Sequence, residues 1–146
     1  MQSLSRDDLA PEMGSLGVPR VLIADQSAAV IERLAALISD VAHVVCRATN
    51  AHDAISGIRS NQPHLAVFDV GIAHGVDLLR QIKRHQPPVI AVVLTHSADD
   101  TTRRYCVRLG AEYFLDKLRE FDKVREIVIA VGSGWGRGAF NLPTHQ

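Results

Sequence analysis

The sequence predicts an α/β fold in which five parallel strands form one sheet that is covered by helices on both faces. A short apolar run followed by a helical pattern occurs five times along the chain, as expected for consecutive β–α units. The apolar runs are nearly continuous, which is typical of strands buried on both faces. With 146 residues, of which 47% are hydrophobic, the chain is long enough for one domain with its own core.

The first two units occupy the N-terminal half of this pattern. Residues Val21–Ala24 are predicted to be the first strand. The helix after it has one predicted inward stripe, formed by Val30, Leu34, Leu37 and Val41. The β-branched run His43–Ala48 predicts the second strand, and Asn50 is a candidate cap for the next helix. The inward positions of that second helix are Ala54, Ile55 and Ile58.

The third unit is bounded by a clear stop signal. Leu65–Phe68 is the predicted third strand, and the helix after it runs over 76–85 with Leu78, Leu79 and Ile82 inward. Pro87 and Pro88 end this helix because proline cannot continue it, and 89–94 is the predicted fourth strand.

The last two helices enclose a short fifth strand. Asp99 or Asp100 is predicted to cap a helix that runs to Leu109 and ends at Gly110. Tyr113–Leu115 is the predicted fifth strand. The final helix, 120–131, has four predicted inward residues: Val124, Ile127, Val128 and Val131.

Both ends of the chain differ in composition from the predicted domain at 19–131. Residues 1–18 mix Ser, Asp, Gly and Pro without periodicity, which indicates a flexible leader. Residues 132–146 are rich in glycine and predict a tail, whose Trp135, Phe140 and Leu142 are either an anchor for a partner or incidental. This tail is too short for a DNA-binding module, so output through protein contacts is expected.

The charge balance and the cysteines limit the classes of function. Sixteen basic and sixteen acidic residues give a formal net charge of zero, whereas nucleic-acid and anionic-membrane binding usually need a basic surplus. No apolar run approaches the about 18 residues of a membrane span, and the N-terminus lacks a signal-peptide pattern. Cys46 and Cys106 are far apart, as is typical of reduced cytosolic thiols. We expect a cytoplasmic protein that binds neither nucleic acid nor membranes.

Polar residues directly follow four of the five predicted strands. Asp25 and Gln26 follow the first strand, Asp69 the third, Thr95 the fourth, and Lys117 comes just after the fifth. In open parallel sheets the ligand site lies beyond the carboxyl ends of the strands. Carboxylates at this edge suit Mg²⁺, which takes few protein ligands and is often also bound by a phosphate group. A carboxylate can itself accept a phosphoryl group as a nucleophile. The sequence has no zinc-ligand spacing and no Gly-rich nucleotide loop.

Four segments in this order resemble the receiver domain of bacterial response regulators, the aspartate-phosphorylated part of two-component systems. They are VLIAD ending at Asp25, HLAVFD ending at Asp69, VVLT ending at Thr95 and GAEYFLDK ending at Lys117. Each motif alone is weak, but the ordered set on five β–α units is a strong match. The resemblance implies a flavodoxin-like (βα)5 doubly wound sheet with strand order 2-1-3-4-5.

The resemblance also implies a role for each of these residues. Asp69 would be the phosphoacceptor, Thr95 would contact the phosphoryl oxygens, and Lys117 would pair with the modified aspartate. Phe114, at the position of the switch aromatic, would relay the change together with Thr95. The protein would be a signalling domain rather than an enzyme, assisting at most its own phosphorylation and dephosphorylation.

The implied Mg²⁺ site departs from the usual pattern. Its ligands would be Asp25, Asp69, the backbone of Gly71 and Gln26. Receivers usually have a second acid where this chain has Gln26, whose amide oxygen brings no charge, so weaker Mg²⁺ binding is expected. The loop after Asp69 also lacks the usual proline and is shorter than usual.

Two further positions differ from the family pattern. His96 follows Thr95 where receivers have a small residue, and its imidazole either blocks access to the site, hydrogen-bonds the phosphoryl group or turns to solvent. Leu118 replaces the proline that usually follows the lysine. A trans bond and a shifted Lys117 are therefore expected, since a cis bond before leucine costs about 3 kcal/mol.

Two functional hypotheses follow. The favoured one is a stand-alone receiver that accepts a phosphoryl group on Asp69 from a histidine kinase or a histidine phosphotransfer protein and signals to a downstream protein. The surface of the fourth helix, the fifth strand and the fifth helix, which forms dimers in many receivers, is a candidate homodimer interface, but a solvated face explains the basic residues of that helix better. The alternative, favoured by Gln26, His96 and Leu118, is a pseudo-receiver that is not phosphorylated and acts as an interaction or dimerisation scaffold.

Overall fold

The computed structural model describes residues 18–134, and ten elements alternate strictly along them. The strands are β1 (Arg20–Ala24), β2 (His43–Ala48), β3 (Leu65–Phe68), β4 (Ile90–Thr95) and β5 (Tyr113–Asp116). The helices are α1 (Ala28–Ile38), α2 (Ala51–Asn61), α3 (Gly75–Arg84), α4 (Asp100–Arg108) and α5 (Lys123–Gly132). The predicted leader and the tail residues Trp135, Phe140 and Leu142 lie outside the described residues.

All strand pairs are parallel, and the sheet order is β2-β1-β3-β4-β5. This confirms the predicted doubly wound fold. The chain moves from β1 to one side for β2 and then to the other side for β3, β4 and β5. The strand order therefore reverses between β1 and β3, which is where ligand sites form in open α/β sheets.

The core has two layers because successive residues of a strand point to opposite faces of the sheet. One layer includes Leu22 and Phe68 and is covered by α2, α3 and α4. The other includes Ile23 and Val67 and is covered by α1 and α5. Both layers consist of buried aliphatic and aromatic side chains, so burial of apolar surface holds the strand ends in fixed positions.

The predicted caps are confirmed. The side chain of Asn50 accepts a hydrogen bond from the N–H of Asp53, and that of Asp99 accepts one from the N–H of Thr102. Gly110 follows α4 with φ of +109°, a left-handed conformation that favours glycine.

Two predictions about helices were wrong in detail. In α1 the buried face is Ile31, Leu34, Ala35 and Ile38, so the predicted stripe was off centre. Leu34 is buried as predicted, and Val30, Leu37 and Val41 pack against the same core but are only half-buried, with Val41 beyond the end of the helix. The second error concerns α5, which begins at Lys123 rather than at residue 120. Residues 117–120 instead form a turn that is held by the side chain of Asp116. The other predicted boundaries agree with the structure to within one residue, and those of β2 and β3 agree fully.

Gly57 offers a test of the packing between α2 and β2. A Cβ atom added at this position would overlap the Cys46 Sγ atom and lie 3.2 Å from Cys46 Cβ. We expect Gly57→Ala to lower the free energy of unfolding by about 1–2 kcal/mol, the cost of overpacking less the gain in helix propensity. Urea unfolding followed by circular dichroism measures the loss.

The control removes the overlapping sulfur atom. In Gly57→Ala/Cys46→Ala the loss should be smaller than the sum of the two single losses, because alanine at position 46 leaves room for the new methyl group. Ser56→Ala, exposed on the same helix, should change the unfolding free energy little. Strict additivity of the two single losses would contradict the steric overlap.

Candidate functional site

Four polar side chains are buried among residues 18–134, and all four lie at one edge of the sheet. They are Asp25, Asp69, Thr95 and Lys117. Asp25 and Asp69 directly follow β1 and β3, Thr95 ends β4, and Lys117 follows β5. Burying polar and charged groups costs free energy unless partners compensate for the lost water. Their gathering at one edge therefore marks a candidate site rather than a random exception in the core.

The sheet pairing brings these residues together from distant parts of the sequence. Ala24 pairs with Phe68, so that Asp25 and Asp69 leave neighbouring strands at the same level. The N–H of Asp69 donates to the carbonyl of Ala24 at 3.2 Å. On the other side, the N–H of Lys117 donates to the carbonyl of Thr95 at 3.0 Å. Main-chain hydrogen bonds therefore continue past the strand ends and fix the backbone beneath each functional side chain.

Lys117 bridges the two carboxylates. Its Nζ atom lies 2.6 Å from Asp25 Oδ2 and 2.7 Å from Asp69 Oδ2, and all three side chains are largely buried. The other oxygen of each carboxylate accepts a backbone N–H, that of Ser27 for Asp25 and that of Gly71 for Asp69, at 2.9 Å and 2.7 Å. Every carboxylate oxygen thus has a donor, and the site carries one positive and two negative charges.

The hydrogen bonds to Asp69 outweigh its burial. Burial raises the pKa of this carboxyl, but hydrogen bonds from Lys117, Gly71 and Thr95, together with the lysine charge, lower it below its ordinary value. For Lys117, burial lowers the pKa, yet hydrogen bonds to Asp25 and Asp69 and their charges raise it. At neutral pH the site therefore contains an ionised carboxylate and a charged ammonium group.

The donor set suits a hard divalent cation. Two carboxylates meet here, and no group of three or more His, Cys, Asp and Glu side chains that could hold a metal occurs in the described part of the chain. Zinc sites usually need more protein ligands, whereas Mg²⁺ takes one or two carboxylates and keeps positions for water and phosphate. The carboxylates of Asp25 and Asp69 fit this preference, and Gln26 is exposed beside them without adding charge. The Gly71 backbone, the third predicted ligand, contacts Asp69 through its N–H, so a role for its carbonyl remains a prediction.

The comparisons with known proteins identify the fold and the family. A family model described as the response regulator receiver domain matches residues 21–129. The chain belongs to this family. The signal receiver domain of NarL from Mycobacterium tuberculosis superposes with a TM-score of 0.73 at 18% identity, covering 80% of this chain and 98% of that one. The response regulator domain of CheB from Thermotoga maritima gives 0.68 at 20% identity, covering 80% and 94%.

Curated relatives extend well beyond the matching region. The transcriptional regulatory protein YesN of Bacillus subtilis is 25% identical over 103 residues, which are 67% of this chain and 28% of that protein. ZraR of Salmonella typhimurium is 27% identical over 108 residues, covering 73% and 24%. The chain thus spans about a quarter of the length of these relatives. What it shares with them is the receiver domain, a signalling domain of two-component systems that generally binds Mg²⁺ at its acidic site and contacts kinases or phosphotransfer proteins.

The receiver's remaining predicted site residues lie around this centre. Phe114 is fully buried in β5, and the guanidinium of Arg103 in α4 lies 4.9 Å from the centre of its ring. His96 is exposed beside the buried Thr95, which agrees with the interpretation of an imidazole turned to solvent. Among the described residues no helix is long and apolar enough to cross a membrane.

The peptide bond between Lys117 and Leu118 is trans, as expected. Lys117 nevertheless reaches both carboxylates, so the missing proline does not separate it from Asp69.

The sequence analysis missed three contributors to the site. Ser27 supplies an N–H to Asp25 and also caps α1, while Asp116 and Glu120 hold the turn that follows Lys117. An acid directly before the lysine and another four residues later were visible signals for such a turn.

Replacing Lys117 with methionine should destabilise the receiver and reverse the pH dependence of its stability. At pH 7 we expect a loss of about 3 kcal/mol or more, because two buried carboxylates lose their cation. In the native chain the pKa of Asp69 is lowered, so its stabilisation is complete above the ordinary carboxyl pKa of about 3.9 and is lost as the pH falls below it.

In Lys117→Met the Asp69 carboxyl keeps the hydrogen bonds from Gly71 and Thr95 but loses the lysine and lies buried near the Asp25 carboxylate without a cation, so we expect its folded-state pKa to rise above the unfolded value. The folded state then binds more protons, so the unfolding free energy should increase as the pH falls from about 7 to about 5. Urea unfolding with a chelator present measures this slope. Arg59→Met, which removes an exposed cation on α2, is the control and should retain the native pH profile. The native profile in Lys117→Met would contradict the assignment.

Proposed function

We propose that this receiver domain accepts a phosphoryl group on Asp69 from a phosphohistidine of a histidine kinase or a phosphotransfer protein. The observation that carries the proposal is the bridge from Lys117 Nζ to Asp25 and Asp69, buried beside Thr95. This arrangement supplies an ionised oxygen nucleophile, a fixed cation and a hydroxyl group at one point. An isolated strand-end aspartate that merely capped a turn would not require a buried lysine partner.

Phosphoryl transfer to Asp69 requires no proton to be added to or removed from its carboxylate. A lone pair on an Asp69 oxygen forms the new P–O bond while the P–N bond of a donor phosphohistidine breaks. If the other ring nitrogen of that donor is protonated, the leaving group departs as neutral imidazole with the bonding electrons. Because the pKa of Asp69 is lowered, its carboxylate is ionised at neutral pH and needs no general base.

The charges of the site explain why a cation is needed. Before transfer, Asp25, Asp69 and Lys117 sum to −1, and an acyl phosphate on Asp69 with two negative charges makes the sum about −2. When bound, Mg²⁺ supplies neutralisation of the phosphoryl oxygens. Lys117 stays in place to pair with the modified side chain, and the Thr95 hydroxyl lies beside Asp69 to donate to a phosphoryl oxygen.

Partner contacts are proposed for the surface of α4. This helix buries one side chain, Cys106, and exposes Arg104, Tyr105, Val107 and Arg108. A homodimer through α4, β5 and α5, or a downstream protein bound there, would cover these residues. We further propose that the protein acts in the cytoplasm and that this receiver domain does not itself bind nucleic acid, in keeping with its zero net charge.

Phosphorylation is tested with acetyl phosphate and Mg²⁺ by mass spectrometry of the intact protein. The native chain should gain about 80 Da, the mass of one phosphoryl group with its added charge. Asp69→Asn, which keeps the shape but loses the nucleophile, should gain nothing. Asp77→Asn, an exposed acid on α3, is the matched control and should behave as the native chain. No adduct on the native chain, together with no response to beryllofluoride, would favour the scaffold alternative.

Restoring an acid at residue 26 should strengthen Mg²⁺ binding. In Gln26→Asp the Mg²⁺ concentration that gives half-maximal phosphorylation should fall by about tenfold, which corresponds to about 1.4 kcal/mol of binding free energy. This is a fraction of the coulombic energy of about 4 kcal/mol between two unit charges 4 Å apart at moderate dielectric. The change in Mg²⁺ affinity can also be measured without phosphoryl transfer, by titrating Mg²⁺ and following the spectral change that beryllofluoride induces. Gln26→Ala should leave it close to the native value, and equal values for all three proteins would contradict a metal next to residue 26.

A further inference from the structure

The turn that carries Lys117 is held by two acids, Asp116 and Glu120, whose side chains accept backbone N–H groups of the turn and of Asp116. Asp116 Oδ1 accepts the N–H groups of Leu118 and Arg119 at 2.8 Å and 3.2 Å. Glu120 Oε1 accepts the N–H of Asp116 at 2.9 Å, and the N–H of Glu120 donates to the carbonyl of Asp116 at 2.8 Å. We call this set of four hydrogen bonds the Asp116–Glu120 clamp. It closes a ring of backbone around Lys117.

Lys117 needs such a restraint more than most lysines. Its side chain has four rotatable carbon–carbon bonds and loses much conformational entropy when it is buried in one position. The next residue is Leu118, which is 79% exposed and so gains little from packing. Leucine also leaves φ free, whereas a proline would fix it. Local restraint at Lys117 must therefore come from hydrogen bonds.

The clamp is itself anchored on two sides. Glu120 Oε2 lies 3.1 Å from Lys123 Nζ at the start of α5. Burial raises the pKa of Glu120, but the Asp116 N–H, Lys123 and the charge of Arg103 lower it, so the acceptor is ionised and strong. Arg103 also donates to the carbonyl of Phe114 in β5. The turn after β5 is thus tied to both flanking helices.

We propose that the Asp116–Glu120 clamp is the positioning device that aims Lys117 at Asp25 and Asp69 in the absence of a following proline. The acids do not contact the reacting atoms; they act through Lys117. The part of this inference that concerns phosphoryl transfer rests on the proposed function. The placement of Lys117 is independent of it and can be measured separately.

The placement is measured by the reactivity of the lysine amines. The chain has three lysines, Lys83, Lys117 and Lys123, so limited acylation with acetic anhydride followed by peptide mass spectrometry resolves each one. Lys83 is the internal reference because its ion pair with Glu112, at 2.7 Å, lies at the opposite end of β5 from the turn. In the native chain Lys117 should react more slowly than Lys83.

The decisive variants either keep or remove a hydrogen-bond acceptor at residues 116 and 120. Asp116→Ala removes the acceptor for two N–H groups and should raise the Lys117 to Lys83 acylation ratio about threefold to tenfold, the factor for one or two hydrogen bonds. Asp116→Asn keeps an acceptor oxygen and should restore the native ratio. Glu120→Ala and Glu120→Gln should behave as a second such pair. Loss of fold alone would raise the reactivity of Lys83 as well.

Phosphorylation by acetyl phosphate is the second readout on the same proteins. The rate should fall about threefold to tenfold in Asp116→Ala, again the factor for such hydrogen bonds, and recover in Asp116→Asn. An unchanged acylation ratio in Asp116→Ala, or an asparagine that fails to restore it, would overturn the inference. If the native chain takes no phosphoryl group, the proposed function fails while the acylation ratios still decide the role of the clamp.

Discussion

The structure depends on one buried ion bridge, in which a lysine after β5 holds two carboxylates that follow β1 and β3. Only the strand order makes this bridge feasible, because it places β1 and β3 side by side and leaves β4 alone between them and β5. Adjacent strands lie about 4.8 Å apart, so the long side chain of Lys117 must pass over the end of β4. Thr95 ends that strand, and its small side chain leaves room for the lysine while adding a hydroxyl to the site.

The same bridge explains how three charged side chains can be buried together at one edge of the sheet. A negative sum of charges in a buried place costs free energy, and here each carboxylate oxygen is compensated by a donor. The donors are backbone N–H groups and one lysine, all of which are held in place by the fold. These donors already bind the two carboxylates, so they cannot also neutralise the charge that a phosphoryl group would add. For this reason we expect a metal ion beside the site, which has only one cation of its own.

Sequence reasoning predicted what depends on local pattern. The strands are continuous apolar runs, and the residues after them, Asp25, Asp69, Thr95 and Lys117, could be located by counting. The buried face of α1 could not be located in this way. All residues of this helix except Glu32 and Arg33 are apolar, so the apolar stripe is too wide for its periodicity to show which residues lie at its centre. The start of α5 was missed because side-chain acceptors of the Asp116–Glu120 clamp, rather than helix propensity, decide the path of residues 117–120.

Three of the positions that depart from the family pattern share one structural property. Gln26, His96 and Leu118 are all exposed, whereas the four polar residues that match the pattern are all buried. A receiver that had lost its acceptor function would be free to replace the buried lysine or an aspartate by an apolar residue, since such replacements often stabilise a fold. Here the costly buried charges remain and the solvent side has changed. The departures therefore bear on the charge next to Asp25, on the surface beside Thr95 and on the backbone after Lys117, and leave the four buried polar side chains in place.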